Sequence, residues 1–322
     1  MIDLSKPLES HVRELCKYIR TPRSSGYFKS QEYLRNCISK MALQPESHTF
    51  SVYRLGECTN IYCEIGDPSK PRVLLGAHYE SRKESGVAAD DNASACAVLL
   101  ELIPLLKTIE SLSFTVVFFD MEEIYGWSSL RGSRAFARDY AKPLSKVIIL
   151  DLVGGTLAPH FEKTFLQFGP AFPTLSHPNY EFLHLPMKII EPAGAFGARS
   201  DYDEYRKLGI PFLFISSGTP WYYHTEHDTP EILSFEKLNA LTQSLYEELK
   251  KGNQAALKSH GRLEDLHRFL KKFTMTPLLR SPRIENMASK IQDISRYQII
   301  RMYGEILPKL RRAGPKLWDK MA

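Results

Sequence analysis

The sequence predicts an α/β fold: a mixed, centrally parallel β-sheet flanked by helices on both faces, followed by a helical, basic C-terminal extension. Three observations carry that expectation. Apolar strand-like runs alternate with helix-like periods from about residue 72 to 250, the pattern of strands covered on both faces of a sheet. Histidines and carboxylates recur just beyond those runs, where ligands bind in such sheets. The charge is also divided, since residues 251–322 hold 16 Lys+Arg and 6 Asp+Glu while the preceding 250 residues carry a net −5.

The elements follow in order. Residues about 7–19 place Val12, Leu15, Cys16 and Ile19 at helical spacing, TPRSSG interrupts, and about 28–41 resume the period. HTFSVYRL and NIYCEI predict a strand pair joined at the Gly56-Glu57-Cys58 turn. PRVLLGAHYES reads as a buried strand over 72–77 that ends at His78, and residues 92–108 as an apolar helix with Asp91 or Asn92 near its cap. SFTVVFFDMEE is a second buried strand, ending at Glu122 and Glu123; SSLRGSRAFARDY is a helix; KVIILDLVG is a strand ending at Asp151. KTFLQF and MKII are shorter strand candidates, IPFLFISSG is another strand with His224 in the loop after it, and 235–251 is an amphipathic helix. The tail shows two helical periods, LEDLHRFLKKF and ENMASKIQDISRYQIIRMYGEIL, parted by the prolines of TMTPLLRSPR. The expected division is a catalytic α/β domain over 1–252 and a helical extension over 253–322.

Composition narrows the class. The charged and apolar fractions are those of a globular chain, and no apolar run reaches the roughly 18–20 residues of a membrane span. The N-terminus lacks a basic head followed by an apolar stretch, and the five cysteines (Cys16, Cys37, Cys58, Cys63 and Cys96) are odd in number with no CxxC pair. The expectation is a cytoplasmic protein with reduced thiols. Cys58 and Cys63 read as small core residues, with a facing pair across the hairpin as the alternative.

The chemistry lies in His78, Asp91, Glu123, Asp151 and His224. Two nitrogen and three carboxylate donors suit a pair of Zn²⁺ ions if one carboxylate is shared. Each has an ordinary explanation by itself: a histidine ending a strand, an acid capping a helix, acids in a surface turn. Adjacent Glu122 and Glu123 after the apolar run TVVFF are costly to desolvate without cations, and beside a metal one can ligate while the other takes a proton from activated water. Glu80 is placed to accept a hydrogen bond from the second ring nitrogen of His78. Spacing alone leaves His224 and His227 equally able to ligate.

The segments LLGAHYES, AADDNASACAVLLEL, FFDMEEIYGWSSLRGSRAFA, ILDLVG, SDYDEYRKLGIP and YYHTEHDTPE resemble the zinc-dependent aminopeptidase family, co-catalytic zinc exopeptidases that also include the animal glutaminyl cyclases. The resemblance covers about 72–250 and implies a zinc exopeptidase-like sheet. It implies His78 and Asp151 on one zinc, Glu123 and His224 on the other, Asp91 between them and Glu122 as general base. Within that pattern Asp91 is chosen over Asp90, and His224 over His227. The chain departs from the family by carrying Glu80 where Asp is usual, and by a longer segment between Glu123 and Gly132 that includes Trp127. Cyclases carry a longer Trp-containing insert there and a Trp just before the last histidine, where this chain has Tyr223, with Trp221 two positions earlier. Asp201 matches an acid that cyclases use near substrate and that peptidases often share. Tyr125, Trp127, Phe196, Trp221, Tyr222 and Tyr223 are candidates to line a pocket, with core packing as the plainer explanation.

The resemblance implies first a metal-dependent aminopeptidase that hydrolyses N-terminal peptide bonds with zinc-activated water, acting on peptides with a free N-terminus. The alternative is a glutaminyl-peptide cyclotransferase forming N-terminal pyroglutamate, and the third reading is a non-catalytic binding protein on a peptidase scaffold. The basic extension reads foremost as a helical cover on the catalytic domain. Contact with nucleic acid or an anionic membrane is the less favoured use of its charge.

Overall fold

The computed structural model describes residues 2–123, 130–186, 200–252, 261–275 and 282–289, with two isolated positions, 305 and 309. Its centre is one eight-stranded sheet in the order β1-β2-β4-β3-β5-β8-β6-β7. The strands are β1 (Glu46–Val52), β2 (Gly56–Ile65), β3 (Arg72–His78), β4 (Ser113–Phe119), β5 (Lys146–Leu150), β6 (Thr164–Phe168), β7 (Glu181–His184) and β8 (Phe212–Ser216). The four middle strands, β4, β3, β5 and β8, run parallel, and the pairs β1–β2, β2–β4 and β6–β8 are antiparallel.

Side chains on a strand point alternately to opposite faces, and both faces are apolar here. Val73, Leu75, Val116, Ile148 and Leu213 face one core, shared with α1 (Ser5–Leu15), α2 (Ser25–Lys40), α3 (Ser94–Leu106) and α6 (Phe235–Lys250). Leu74, Val117, Val147, Ile149 and Phe214 face the other, shared with α4 (Arg131–Asp139), α5 (Tyr202–Lys207), α7 (Leu263–Thr274) and α8 (Pro282–Ser289). The expected layering of helices on both faces of a centrally parallel sheet is what the chain adopts.

The differences from expectation are local. The β1–β2 turn lies before Gly56, which pairs with Val52, because Glu57 and Cys58 already belong to the ladder. Cys58 and Cys63 therefore sit on one strand, and all five cysteines are buried and unpaired. The helix read from residue 92 starts at Ser94, preceded by a wide turn over Ala89–Ala93 in which Asp91 and Asn92 are not helical. No side chain caps α3, so the capping role anticipated for Asp91 or Asn92 is not used. The strand pairing with β6 is Glu181–His184, and the MKII candidate lies outside the described residues.

Part of the basic tail is built into the second core. Leu266, Phe269, Leu270 and Phe273 of α7 are fully buried there. The same helix covers the edge of the sheet: His184 N–H donates to Asp265 Oδ2 at 2.9 Å, and Arg262 N–H donates to His184 O at 2.8 Å. Satisfying the free groups of a short edge strand in this way also blocks its pairing with another chain. Among the described residues no helix is long and apolar enough to cross a membrane.

Candidate metal centre

The register of the parallel strands assembles the site. His78 pairs with Phe119 and Leu150 with Ile215, so the carboxyl ends of β3, β4, β5 and β8 lie side by side. Glu122 and Glu123 follow β4 after Asp120 and Met121, and Asp151 directly follows β5. Two of the donors do not sit directly at a strand end. Asp91 comes from the turn that opens α3, and His224 from a loop well past β8. Residues that lead into these loops take left-handed backbone angles: Met121 at φ 58, Leu152 at φ 54 and His224 itself at φ 59. Such conformations cost of order 1 kcal/mol or more and persist where surrounding contacts hold them.

Two groups of three donors converge, His78 with Asp91 and Asp151, and Asp91 with Glu123 and His224. In each group the ligand atoms lie within 4.8 Å of one another, and Asp91 belongs to both. His78 Nε2 stands 3.3 Å from Asp91 Oδ1 and 3.6 Å from Asp151 Oδ1. His224 Nε2 stands 3.1 Å from Glu123 Oε1 and 3.2 Å from Asp91 Oδ2. Two donors on one tetrahedral zinc at ordinary bond lengths are about 3.3 Å apart. His78 Nε2, Asp91 Oδ2 and Asp151 Oδ1 are buried and have no hydrogen-bond partner among the described residues. Buried polar atoms are normally paired, so this convergence fits cations on both sides of Asp91. Soft ligands are absent from both groups, and mixed imidazole and carboxylate donors suit zinc.

The electrostatics agree. Burial raises the pKa of Asp91, but His224 and His78 outweigh it and hold the group well below the usual carboxylate range. Burial, the nearby charge of Asp91 and the opposing pull of His224 leave Glu123 at about 7. Glu122 is half-buried and feels the charges of His78 and Asp151 of one group and Glu123 of the other. Burial pushes its pKa well up, His78 opposes, and Glu123, Asp151 and Asp201 add to the rise. So many carboxylates together are stable only opposite positive charge.

Support for the donors comes from behind them. His78 Nδ1 lies 3.2 Å from the main-chain oxygen of Glu80, whose carboxylate is farther off at 3.8 Å. The Glu80 side chain instead accepts the main-chain N–H of Glu123 at 2.9 Å, so the acid expected to orient one histidine orients a donor of the other group. Asp90 points away from the donor cluster. Its carboxylate accepts from Gly154 N–H at 2.8 Å, Gly155 N–H at 3.1 Å, Ser94 Oγ at 3.2 Å and Tyr222 OH at 3.0 Å. A Cβ on Gly155 would collide with that hydroxyl and with Asp90 Oδ2, so only glycine fits. Arg20 is buried and donates to the carbonyls of Leu15, Tyr79, Val87 and Ala88, tying both ends of the loop between His78 and Asp91 to α1.

The remaining sequence-derived residues separate. His227 is exposed, and its ring lies 5.3 Å from that of Trp221, away from the donors. Tyr223 stacks on His224 at 3.7 Å between ring centres. Asp201 is fully buried, neither of its carboxylate oxygens has a hydrogen-bond partner of good geometry among the described residues, and burial pushes it to about 7 against the pull of His78 and Ser133. Tyr125, Trp127 and Phe196 lie outside the described residues. Asp228 was not singled out from sequence, yet it is fully buried and accepts the main-chain N–H groups of Asp90 and Asp91. Its place inside the matched segment YYHTEHDTPE was the available signal.

Fold and site together define an α/β protein with a candidate two-ion metal centre at the carboxyl edge of its parallel strands. Residues 60–248 match the model of peptidase family M28, and the chain belongs to that family. It is 26% identical over 246 residues to endoplasmic reticulum metallopeptidase 1 of Homo sapiens, covering 68% of this chain and 26% of that protein. It is 29% identical over 160 residues to the uncharacterized protein YfbL of Escherichia coli (strain K12), covering 46% of this chain and 49% of the relative. The chain thus spans about a quarter to a half of the length of these relatives. A leucine aminopeptidase precursor from Bacteroides thetaiotaomicron shares the fold with a TM-score of 0.61 at 18% identity, covering 78% of this chain and 97% of that one. A Porphyromonas gingivalis glutaminyl cyclase shares it with a TM-score of 0.59 at 20% identity, covering 77% and 98%.

Proposed function

We propose that this chain is a metal-dependent aminopeptidase that hydrolyses the N-terminal peptide bond of peptides with a free amino terminus. The observation that carries this reading is the pair of donor groups sharing Asp91, with Glu122 next to the donor Glu123 and in the field of His78 and Asp151. In it, His78, Asp91 and Asp151 would hold one zinc, and Asp91, Glu123 and His224 a second. Zinc held there would supply Lewis acidity, polarising the scissile carbonyl and acidifying water.

The chain's own residues do the rest. Glu122 takes a proton from the attacking water at its carboxylate and returns it to the leaving nitrogen. A carboxylate that follows β4 next to the donor Glu123 is suited to accept that proton from acidified water. Glu80 holds Glu123 in place through its main-chain N–H, and Tyr223 fixes the ring plane of His224. Asp201, buried with neither oxygen well hydrogen-bonded among the described residues, is the acid that receives the substrate's ammonium group.

Two complete groups favour hydrolysis over cyclisation of N-terminal glutamine. Cyclisation uses the substrate's own amine as nucleophile, and one ion polarising the amide suffices for it. The test is to incubate the zinc-loaded protein with a leucyl anilide and with a glutaminyl peptide. Release of the aniline and cleavage of the peptide are expected. Ammonia release without cleavage would reassign the site to pyroglutamate formation, and inactivity with no retained metal would point to a binding protein.

A further inference from the structure

Hydrogen-bond donors converge on the outer side of His224 with no acceptor between them among the described residues. Arg82 lies in the loop between β3 and the turn that carries Asp91, and its Nη1 is 3.4 Å from His224 Nδ1. Nε2 of the same ring faces Glu123 and Asp91. A histidine that gives Nε2 to an ion keeps its hydrogen on Nδ1. Arginine offers donors and no acceptor, so Nδ1–H and the guanidinium then face each other donor to donor. Arg82 Nε is buried and has no hydrogen-bond partner among the described residues. The carboxylate of Glu84 is 3.7 Å away on a side chain that is 67% exposed, too far for a hydrogen bond and well screened.

The contrast with His78 sharpens the point. A ligand histidine ordinarily gives its second hydrogen to a carbonyl or carboxylate of the protein. His78 has Glu80 O within 3.2 Å for that purpose, whereas His224 has a guanidinium. The side chains of Arg82 and His224 are 30% and 20% exposed, so the recess they form opens to solvent. On the Nε2 side the ring meets the carboxylates of Asp91 and Glu123, whereas on the Nδ1 side it meets the positive charge of Arg82. Arg82 therefore marks the place where a negative group is welcome.

We infer that Arg82 and His224 Nδ1–H together receive a carboxylate of the substrate, so that the enzyme selects peptides with an anionic group close to the scissile bond. This rests on the hydrolase reading above. A guanidinium fork binds a carboxylate through two parallel hydrogen bonds, and a third from the imidazole completes the recess. The carboxylate comes from either of two sources, the free C-terminus of a dipeptide or an acidic side chain in a longer peptide.

The test uses the full-length, zinc-loaded protein with alanyl-alanine and alanyl-alaninamide, and with amidated alanyl-aspartate and alanyl-asparagine. In wild type, kcat/KM for the preferred acid exceeds that for its amide by about 10- to 100-fold, chiefly through KM, the factor of a charge-assisted hydrogen bond. Preference within the first pair assigns the C-terminal carboxylate, and preference within the second assigns the side chain. Arg82→Gln brings the acid-to-amide ratio close to one, and Arg82→Lys retains an intermediate ratio. Equal rates for acid and amide in wild type, or a ratio that survives Arg82→Gln, overturns the inference. So does a zinc-loaded structure with the Glu84 carboxylate seated on both Arg82 and His224. If no peptide is cleaved, the hydrolase reading fails by itself. Calorimetric binding of the same acid and amide pairs to wild type and Arg82→Gln then decides the recess: tighter binding of the acid, lost in the variant, supports it, and equal binding sinks it.

Discussion

Asp228 accepts the main-chain N–H of Asp91 at 3.1 Å, and that of Asp90 at 2.7 Å, from the same loop that carries His224. The loop that supplies one histidine thereby sets the position of the carboxylate common to both donor groups. The prediction concerns Asp228→Asn. An amide has one acceptor oxygen, so its NH₂ must face one of the two N–H groups, donor to donor. Outer-shell losses of this kind typically cost about 10- to 100-fold in metal affinity. Competition with a chelator, followed by metal analysis of the purified variant, measures it. Unchanged affinity would remove Asp228 from the support of the site.

Glu122→Gln separates the proton-transfer role from metal binding. The amide is nearly isosteric but cannot take a proton. We expect kcat to fall by about 10²- to 10⁴-fold with zinc content unchanged. Loss of zinc in parallel with activity would instead make Glu122 a ligand.

Glu80→Ala leaves the main-chain N–H of Glu123 buried without an acceptor. A buried unsatisfied donor costs about 1–3 kcal/mol. Glu80→Asp is one methylene short of that N–H and should lose much of the same contact. Thermal unfolding of the metal-free proteins reads the cost directly. Wild-type stability in Glu80→Asp would show that the contact to Glu123 is not what this longer acid supplies.

His11 joins α1 to α2 and α3, with Nδ1 2.7 Å from Tyr33 OH and Nε2 2.9 Å from Glu101 Oε1. Burial opposes its charge, but Cys37 and Glu101 outweigh it and raise the group from 6.5 to about 9. A raised pKa binds the proton more tightly in the folded state. Its contribution is therefore whole below about pH 6.5, declines as pH rises, and is gone above about pH 9. Denaturant unfolding of wild type and His11→Gln across that window should show the gap between them closing, by an amount on the order of 3 kcal/mol. A gap that widens with pH contradicts the ion pair.

Phe269 of α7 is fully buried against the sheet and contacts Phe161 with ring centres 5.4 Å apart. Phe269→Ala is expected to lower stability by about 3–5 kcal/mol, seen as one shifted transition in denaturant. A separate early transition, with the main one unmoved, would mean that α7 unfolds independently of the catalytic core.

Much of this architecture was legible because its signals are local. Runs such as VLLGA and TVVFF are apolar on every residue, and only strands covered on both faces need that. β7 escaped because its four residues, Glu181–His184, carry little apolar weight and are held in part by α7, some 80 positions later. Asp90 and Asp91 are chemically identical neighbours, and no spacing distinguishes them. Their roles diverge only once Gly154, Gly155 and Tyr222 close around the first.

Taken alone, the order of residues determined which side chains stand at the ends of buried strands, because apolar periodicity and strand ends are properties of short segments. Tertiary structure alone decided which donors meet. His78 and His224 share Asp91 because parallel register and the Asp228 contact bring distant loops to one edge of the sheet. It alone also decided that Glu80 serves Glu123 and that Arg82 faces an imidazole. Distances between loops are set by packing across the whole domain, and no local pattern encodes them.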